Sequence, residues 1–499
     1  MKKRFLLLVF TVLLLSSCGA QNETTNTSEQ KTETEITEPV DQVGQSQEVS
    51  TVVTDAEPSL KYSDLLQSLL DDTNRAHEAI PTYDGDYEQY IIEHEEPDFY
   101  FSKYNRLPDK DAPRSDESLT LEQLTEDMEI YYKGLRTHYA LYDYFGGDEA
   151  FRTAIDAVIA DCAALDVITY GNLRGSLEKH FAFVKDAHFV IASRRTNEHR
   201  IPFFFRDVVY EKTDSGYRTQ DGKVVASVDG YENLDELFRL SLTIEGDLVY
   251  YPIVLQDCTW RQITRQAVPC DTVLTVHYTD GSSDILTAPD YQMDANMQGK
   301  AYVSVAEKSD IPVVTPLQFY YTTGGNQFLN TSITYKDSDI LIMDFRQCSG
   351  GEVDIVNQWF KHYADEEISP NSLLVAPNGG DRFKTYLGKT ETFVPSDNML
   401  IVLTSKMTAS ASETFIDFAY NLENSLIIGE NTHGANVASH GDFTLPNTGL
   451  YMCFGDQLIL HPDGDGFEEF RGYLPDIWVP ATEAEEAVMN FIAKNTTTT

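Results

Sequence analysis

Hydrophobic and polar positions follow three successive spacing patterns along this chain. From about residue 60 to 185, apolar residues recur at three- and four-residue intervals, which predicts amphipathic helices. The clearest case is Thr120–Tyr142, which opens on residues resembling a capping box. From about 200 to 335, short β-branched runs alternate with turn residues, which predicts a small β-rich region.

In the last part of the chain, near-continuous apolar strands alternate with helices. Strands are predicted at Asp339–Phe345, Met399–Ser405 and Ser425–Asn431, and a helix is predicted after each of the first two. This alternation is typical of an α/β fold with a parallel sheet covered on both faces. Because ligands of open α/β sheets bind at the carboxyl ends of the strands, those three ends are the places where chemistry is expected.

The first residues predict export. A cationic start is followed by the apolar segment Phe5–Leu15, which is shorter than the roughly 20 residues that span a bilayer. The segment ends in Leu15–Cys18, which resembles a lipobox, where a bacterial lipoprotein is acylated on cysteine and cut just before it. The alternative is an ordinary secretory signal with an unrelated cysteine. We expect residues 1–17 to be a signal peptide and Cys18 to anchor the chain to the extracytoplasmic face of the membrane.

Residues 18–58 contain no aromatic residue and are rich in Thr, Glu, Gln and Ser. Such a segment cannot bury enough apolar surface to fold, so we interpret it as a disordered tether with a span of roughly 35 Å. Across all 499 residues, 37 Lys and Arg stand against 80 Asp and Glu, a formal net charge of −43. So acidic a surface repels phosphate backbones and argues against nucleic acid as a partner.

The sequence contains six cysteines. One is assigned to the lipid, which leaves an odd number without a CxxC pair: Cys162, Cys258, Cys270, Cys348 and Cys453. A Cys258–Cys270 bridge and scattered buried thiols are both compatible with this spacing. We expect no cysteine-based metal site and no cofactor.

Two of the predicted strand ends carry residues suited to acyl transfer. Ser410 opens a helix, where unpaired backbone N–H groups and the helix dipole stabilise an oxyanion. The structural alternative is that Ser410 and Glu413 form a capping box. After the preceding strand, Gly350 and Gly351 let backbone N–H groups approach a ligand, or simply make a tight turn.

Together these motifs resemble those of the C-terminal-processing, tail-specific and tricorn-type serine peptidases. The similar segments are the strand end D-x-R-x-x-x-G-G at Asp344–Gly351, the helix start at Thr408–Glu413 and the turn at Gly429–Gly434. The resemblance covers roughly residues 120–480 and is strongest over 339–480. It implies a crotonase-like α/β core that needs no cofactor and acts on a peptide or protein.

The resemblance also implies the catalytic residues. Ser410 matches the nucleophile, and the N–H of Ala411 with that of Gly350 or Gly351 would form the oxyanion hole. The lysine of the processing proteases is absent here, since its position is occupied by Ala435.

The tricorn-like branch of the family uses a histidine and a glutamate instead of that lysine. Its D-x-H segment selects His188, and its E-x-x-G-x-x-P-D segment selects Glu469, with Glu468 as a competitor. The implied triad has Ser410 attacking the carbonyl, His188 moving the proton and Glu469 orienting the imidazole. His433 and His440 are interpreted as pocket-wall residues at best, and Cys348 as a turn residue or a redox-sensitive neighbour.

The predicted domains are a helical region over 59–198 that ends in the histidine segment, a β-rich insert over 199–335 and a peptidase core over 336–499. Many relatives carry a PDZ domain at the position of the insert, but its glycine-leucine-glycine loop is missing here, so a degenerate PDZ domain and an unrelated insert are both open. The predicted function is that of a membrane-anchored extracytoplasmic serine peptidase. The alternatives are an esterase or amidase on the same site and an inactive binding lipoprotein of the same fold.

Overall fold

The computed structural model describes residues 60–87, 90, 117–191, 198–293, 301–375 and 393–498, with residues 439–442 and 498 described by their backbone alone. The predicted signal peptide, Cys18 and the tether lie outside the described residues. None of the described helices is long and apolar enough to cross a bilayer. Within the same ranges, no group of three or more His, Cys, Asp or Glu side chains is arranged to hold a metal ion.

The part of the chain before residue 198 is mainly helical, as its periodicity predicts. Its elements are β1 (Leu60–Tyr62), α1 (Asp64–Glu78), β2 (Ser118–Leu119), α2 (Leu121–His138), α3 (Gly147–Ala163), β3 (Ile168–Thr169), α4 (Tyr170–His180) and β4 (Val190–Ile191). The predicted capping box is present at the start of α2, where Gln123 N–H donates to Thr120 Oγ1 at 3.2 Å and Thr120 N–H donates to Gln123 Oε1 at 3.1 Å.

The middle of the chain is rich in strands. Its elements are β5 (Glu198–Phe204), β6 (Tyr210–Thr213), β7 (Gly216–Thr219), β8 (Val225–Val228), α5 (Leu234–Leu237), β9 (Phe238–Leu242), β10 (Leu248–Thr259), α6 (Trp260–Arg265), β11 (Leu274–Tyr278), β12 (Ser283–Leu286), β13 (Val303–Lys308), β14 (Ile311–Pro316) and α7 (Gly325–Tyr335). Strands β8, β11 and β12 form a three-stranded sheet of their own.

The last part alternates strands and helices before it ends in a second β-rich stretch. Its elements are β15 (Ile340–Asp344), α8 (Val353–Tyr363), β16 (Leu373–Val375), β17 (Met399–Thr404), α9 (Ala411–Ala419), β18 (Ser425–Gly429), β19 (Ala438–Thr444), β20 (Tyr451–Leu460), β21 (Ile477–Trp478), α10 (Ala484–Asn495) and β22 (Thr496–Thr498). The three predicted apolar strands are therefore present as β15, β17 and β18.

The main sheet is mixed: the three predicted strands β15, β17 and β18 pair in parallel, as expected for the α/β fold, and antiparallel strands extend the sheet. Its described strands lie in the order β13-β14-β15-β17-β18-β21-β9-β10-β6-β7, and β5 also pairs with β10. Pairing is parallel from β14 to β9 and antiparallel at both ends of the sheet. Strands of the middle region thus extend the sheet on both sides, which local patterning cannot predict because the partners are distant in sequence.

Both faces of the parallel strands are buried, which explains why their sequences are apolar throughout. Along β15, Leu341 and Met343 pack with α8 and α9, whereas Ile340 and Ile342 pack with α1 and α10. Each fully buried aliphatic side chain of this kind contributes about 1.5–3 kcal/mol relative to an exposed one. The register aligns Asp344 with Leu403 and Leu403 with Ile428, so the carboxyl ends of β15, β17 and β18 meet at one edge.

A second, four-stranded sheet fixes the histidine segment. Its strands β16, β20 and β19 are adjacent, and β4 pairs with β20 through Val190 and Cys453. The helices α2, α3 and α4 share a core with Phe443, Met452 and Phe454 of this sheet. The segment that precedes β4 is therefore held in place by long-range packing against this second sheet.

The five described cysteines, Cys162, Cys258, Cys270, Cys348 and Cys453, are free thiols. The Cys258–Cys270 bridge is not formed, and the alternative of scattered, mostly buried thiols is the one observed.

Candidate active site

Ser410 lies between β17 and α9 in a strained conformation. Its backbone has φ 57° and ψ −125°, a region that a residue with a Cβ rarely adopts. A sharp strand-to-helix turn of this type exposes a nucleophilic hydroxyl in other hydrolases. The Ser410 N–H donates to Glu413 Oε2 at 3.0 Å, as in a capping box, so the turn is held by its backbone.

The Ser410 hydroxyl meets His188, a residue 222 positions earlier in the chain. Ser410 Oγ and His188 Nε2 are 3.2 Å apart, which is within hydrogen-bond reach for general-base catalysis. His188 is buried, and its backbone N–H donates to Asp186 Oδ1 at 2.8 Å. Asp186 in turn accepts a bond from the Tyr139 hydroxyl at 3.1 Å, so helix α2 supports the turn that carries the histidine.

Glu469 lies against the same histidine segment. Its Oε1 accepts a bond from the Ala187 N–H at 2.8 Å, one residue before His188. Its Oε2 accepts bonds from the N–H groups of Asn436 at 3.2 Å and Val437 at 3.3 Å. Burial, and next the negative charge of Asp186, raise the pKa of Glu469 well above its ordinary value, while the N–H donors of Ala187 and Asn436 oppose the rise.

The neighbouring acid, Glu468, points away from this cluster. Its side chain is 45% exposed and forms ion pairs with Arg200 at 3.0 Å and with Arg471 at 3.1 Å. Of the two candidate acids, Glu469 is therefore the one that binds the segment carrying the histidine, through the Ala187 N–H.

Gly350 approaches the serine closely. Its φ is +101°, and a Cβ at this position would lie 2.7 Å from Ala409 O and 3.0 Å from Ser410 Cβ. Only glycine accommodates both the conformation and the approach. Gly351 lies beside Phe319 instead, since a Cβ there would be 2.3 Å from Phe319 O.

Backbone donors are available next to the hydroxyl. In the described part of the chain, the N–H groups of Ala411 and Gly351 donate to no backbone oxygen. Ala411 N also lies 3.1 Å from the position that a Cβ on Gly350 would take, so the glycine loop and the first turn of α9 adjoin each other. Of the predicted oxyanion donors, Ala411 and Gly350 thus adjoin Ser410, whereas Gly351 contacts Phe319.

Cys348 lies fully buried in the glycine loop. Burial raises the pKa of its thiol to about 12, although hydrogen bonds from Ser412 and the Gly350 backbone oppose the rise. A buried thiol with so high a pKa is not a reactive thiolate, which favours the interpretation of Cys348 as a turn residue over a redox-sensitive neighbour.

Two buried ionisable residues hold the site together: Glu413, which the sequence reasoning named only as a capping partner of Ser410, and Lys406, which it did not name. Glu413 accepts bonds from Ser410 N–H, from Thr432 Oγ1 at 2.5 Å, from Gly434 N–H at 2.7 Å and from Ala435 N–H at 2.9 Å. It thereby ties the nucleophile turn to the turn that follows β18. Burial raises the pKa of Glu413, and these donors oppose the rise.

Lys406 is the second of these residues. Its Nζ donates to the carbonyl oxygens of Thr432, of Phe470 at 3.1 Å and of Arg471 at 2.9 Å, which accounts for its three N–H donors. Burial lowers the pKa of Lys406 to about 7, against the attraction of Glu413. A lysine two residues after the buried strand β17 was the available signal, because lysine is almost never fully buried unless it is paired.

His433 does not line an open cleft. It is fully buried, its Nδ1 is 3.1 Å from Lys406 O, and its ring packs 4.5 Å from both His199 and Trp260. It is thus part of a buried aromatic cluster. The side chain of His440 lies outside the described residues.

Residues 317–479 match the family model described as Peptidase family S41. Three solved structures that the chain is similar to are the photosystem II D1 C-terminal processing protease, a lipoprotein from Streptococcus agalactiae and the tricorn protease. Their identities to this chain are 15%, 10% and 13%, and their TM-scores are 0.35, 0.39 and 0.34. The alignments cover 74%, 77% and 74% of this chain and 97%, 99% and 35% of the other chain. The family match includes Gly350, Ser410 and Glu469, whereas His188 lies upstream of it.

Proposed function

Residues 317–479 match the model of peptidase family S41, and we propose that the chain is a serine-type peptidase that cleaves peptides or proteins through a triad of Ser410, His188 and Glu469. The observation that carries the proposal is the 3.2 Å distance between Ser410 Oγ and His188 Nε2. The strained backbone of Ser410 supports it independently, because a strained serine between a strand and a helix is characteristic of a nucleophile turn.

In the proposed reaction, Ser410 Oγ attacks the scissile carbonyl while His188 Nε2 takes the hydroxyl proton. The carbonyl oxygen becomes an oxyanion, which the N–H groups of Ala411 and of Gly350 or Gly351 stabilise. His188 then gives the proton to the leaving amine, and an acyl-enzyme remains on Ser410. Water, deprotonated by His188, hydrolyses the ester and restores the serine.

Glu469 is assigned to the third position because its carboxylate binds the Ala187 N–H beside the histidine. A carboxylate fixed there stabilises the imidazolium that forms each time His188 holds a second proton. Glu468 does not suit this role, since its charge is already shared between Arg200 and Arg471 at the surface.

Labelling with a fluorophosphonate, with the adduct mapped by mass spectrometry, tests the proposal. We expect a single adduct on Ser410 of the protein without its first 58 residues. Glu469→Gln should lower the labelling rate by about 10⁴-fold, since it removes the charge that stabilises the imidazolium. Glu468→Gln is the matched control and should label at close to the wild-type rate.

An equal loss in the two glutamate variants would contradict the assignment of Glu469. A folded wild-type protein that takes no adduct would favour the inactive binding lipoprotein. A protein that is labelled and hydrolyses nitrophenyl esters but leaves casein intact would favour the esterase alternative.

We further propose that the mature protein is a lipoprotein anchored through Cys18 at the extracytoplasmic face of a bacterial membrane. The lipobox-like Leu15–Cys18 and the polar segment that follows it support this localisation. Cells expressing the full chain should incorporate radiolabelled palmitate into it, and Cys18→Ser should abolish the incorporation. Equal incorporation in the variant would contradict the anchor.

For the architecture, we propose a crotonase-like core and a PDZ-like insert. Parallel β15, β17 and β18 with helices α8 and α9 support the first, and the sheet of β8, β11 and β12 with helix α5 supports the second. Strands β13 and β14 lie within residues 199–335, the range predicted for the insert. However, β14 pairs with β13 and with β15 in the main sheet. We therefore place the start of the core before residue 303 rather than at 336.

A further inference from the structure

The loop that carries Glu469 is cross-linked by a buried histidine–aspartate pair. His461 follows β20, and its Nδ1 is 2.7 Å from Asp465 Oδ2. The second oxygen of Asp465 accepts a bond from the Phe467 N–H at 2.9 Å. The two side chains are only 11% and 3% exposed, so the contact is protected from solvent screening. The pair thus shapes residues 461–467, which lead directly into Glu469.

The other nitrogen of His461 reaches the peptide group that binds Glu469. His461 Nε2 is 2.9 Å from Asn436 O, and this nitrogen must carry a proton because a carbonyl oxygen only accepts. The same peptide group contains the Val437 N–H, which donates to Glu469 Oε2. A bond to the carbonyl end of a peptide group polarises its N–H end. Asp465, His461, the 436–437 peptide and Glu469 therefore form one continuous chain of hydrogen bonds.

The surroundings of His461 favour a ring that is protonated on both nitrogens. Phe467 stacks on the ring at 4.2 Å, and the Tyr473 hydroxyl is 3.4 Å from Nδ1. Burial lowers the pKa of His461, but the hydrogen bond and charge of Asp465, the charge of Asp417 and the bond to Asn436 O outweigh it and raise the pKa. With both ring nitrogens protonated, His461 donates to the Asp465 carboxylate and to the Asn436 carbonyl oxygen at the same time.

We propose that His461 and Asp465 are positioning residues for Glu469, which hold the acceptor end of the triad through the Asn436–Val437 peptide. The inference rests on the proposed Ser-His-Glu triad and extends it beyond the three reacting side chains. Neither residue reaches Ser410 or His188 in the described structure by a direct hydrogen bond. Their effect on the rate must therefore pass through Glu469.

The test measures the fluorophosphonate inactivation rate at saturation (kinact) and the half-saturating concentration (KI) of the probe. His461→Ala should lower kinact by up to about 100-fold and leave KI unchanged, since misplacing a catalytic group affects the chemical step and not probe binding. His461→Gln keeps an N–H donor and should recover part of the loss. His77→Ala is the matched control, because it removes another buried histidine that lies 2.9 Å from an aspartate, Asp476.

A double-mutant cycle with Glu469→Gln distinguishes positioning from general stability. If His461 acts through Glu469, His461→Ala should change kinact by less than about threefold once Glu469 is already altered. If His461→Ala lowered kinact as much in the Glu469→Gln background as in the wild type, or if His461→Ala alone kept a wild-type kinact, the inference would be overturned. In both cases wild-type labelling at Ser410 would still uphold the proposed function. Absence of wild-type labelling would overturn both.

Discussion

Replacing Ser410 by alanine is expected to lower the rate of casein hydrolysis by about 10⁶-fold and to abolish the fluorophosphonate adduct. In the proposed mechanism the variant removes the atom that forms the acyl-enzyme, and the other two proposed triad members cannot act without it. Alanine keeps the Cβ, so the strain at φ 57° remains, and the backbone N–H bond to Glu413 remains as well. We therefore expect the free energy of unfolding to change by no more than about 1 kcal/mol.

Ser412→Ala is the matched control for this prediction. It alters a second buried serine in the same helix turn, whose hydroxyl lies by the Cys348 thiol. It should retain hydrolysis and the adduct. If Ser410→Ala kept a measurable part of the wild-type rate, or if Ser412→Ala lost it, the nucleophile would be another residue.

The strands and the serine were predictable because their signals are local. The apolar runs that form β15, β17 and β18 are continuous, since both faces of each strand are buried. Ser410 could be placed at a helix start from the residues around it. The position of the histidine segment could be inferred only from a resemblance, because 222 residues separate His188 from Ser410.

Other features depend on the tertiary structure and leave little trace in the sequence. Glu468 and Glu469 are chemically identical neighbours, and only the course of the loop directs one to Arg200 and the other to Ala187. The partners of strands β14 and β9 in the main sheet are likewise set by long-range pairing.

The contacts of the buried residues Lys406 and Glu413 likewise could not be predicted from the sequence. Lys406 and Glu413 are both fully buried, and the sequence places them seven residues apart without indicating that their partners lie at 432–435 and 470–471. Removing either side chain would leave its buried hydrogen-bond partners unsatisfied, which costs about 1–3 kcal/mol for each group. The pair therefore makes the two loops that carry the site depend on each other, and neither loop can be predicted in isolation.

Replacing His188 by alanine is expected to lower the labelling rate of Ser410 almost as much as the loss of the serine itself, by about 10⁶-fold, because triad members act as a unit. The variant leaves the backbone bond from residue 188 to Asp186 and the pairing of β4 with β20 intact, so the fold should be preserved. Millimolar imidazole in solution should restore part of the rate by occupying the space of the deleted ring. His180→Ala is the control and should label normally. It removes a partly exposed histidine at the end of helix α4 that is bonded to Asp161 of helix α3.

A wild-type labelling rate in His188→Ala would mean that another group takes the proton from Ser410. Lys406 is the chemical rival, since burial lowers its pKa to about 7. Its three N–H donors, however, are bound by the carbonyl oxygens of residues 432, 470 and 471, and a base that must rotate away from three buried acceptors would leave them unsatisfied. His188 needs no such rearrangement, because its Nε2 already faces the hydroxyl. Rescue of His188→Ala by imidazole, with no comparable rescue of Ser410→Ala, would therefore assign the proton transfer to the histidine and leave Lys406 a structural cation.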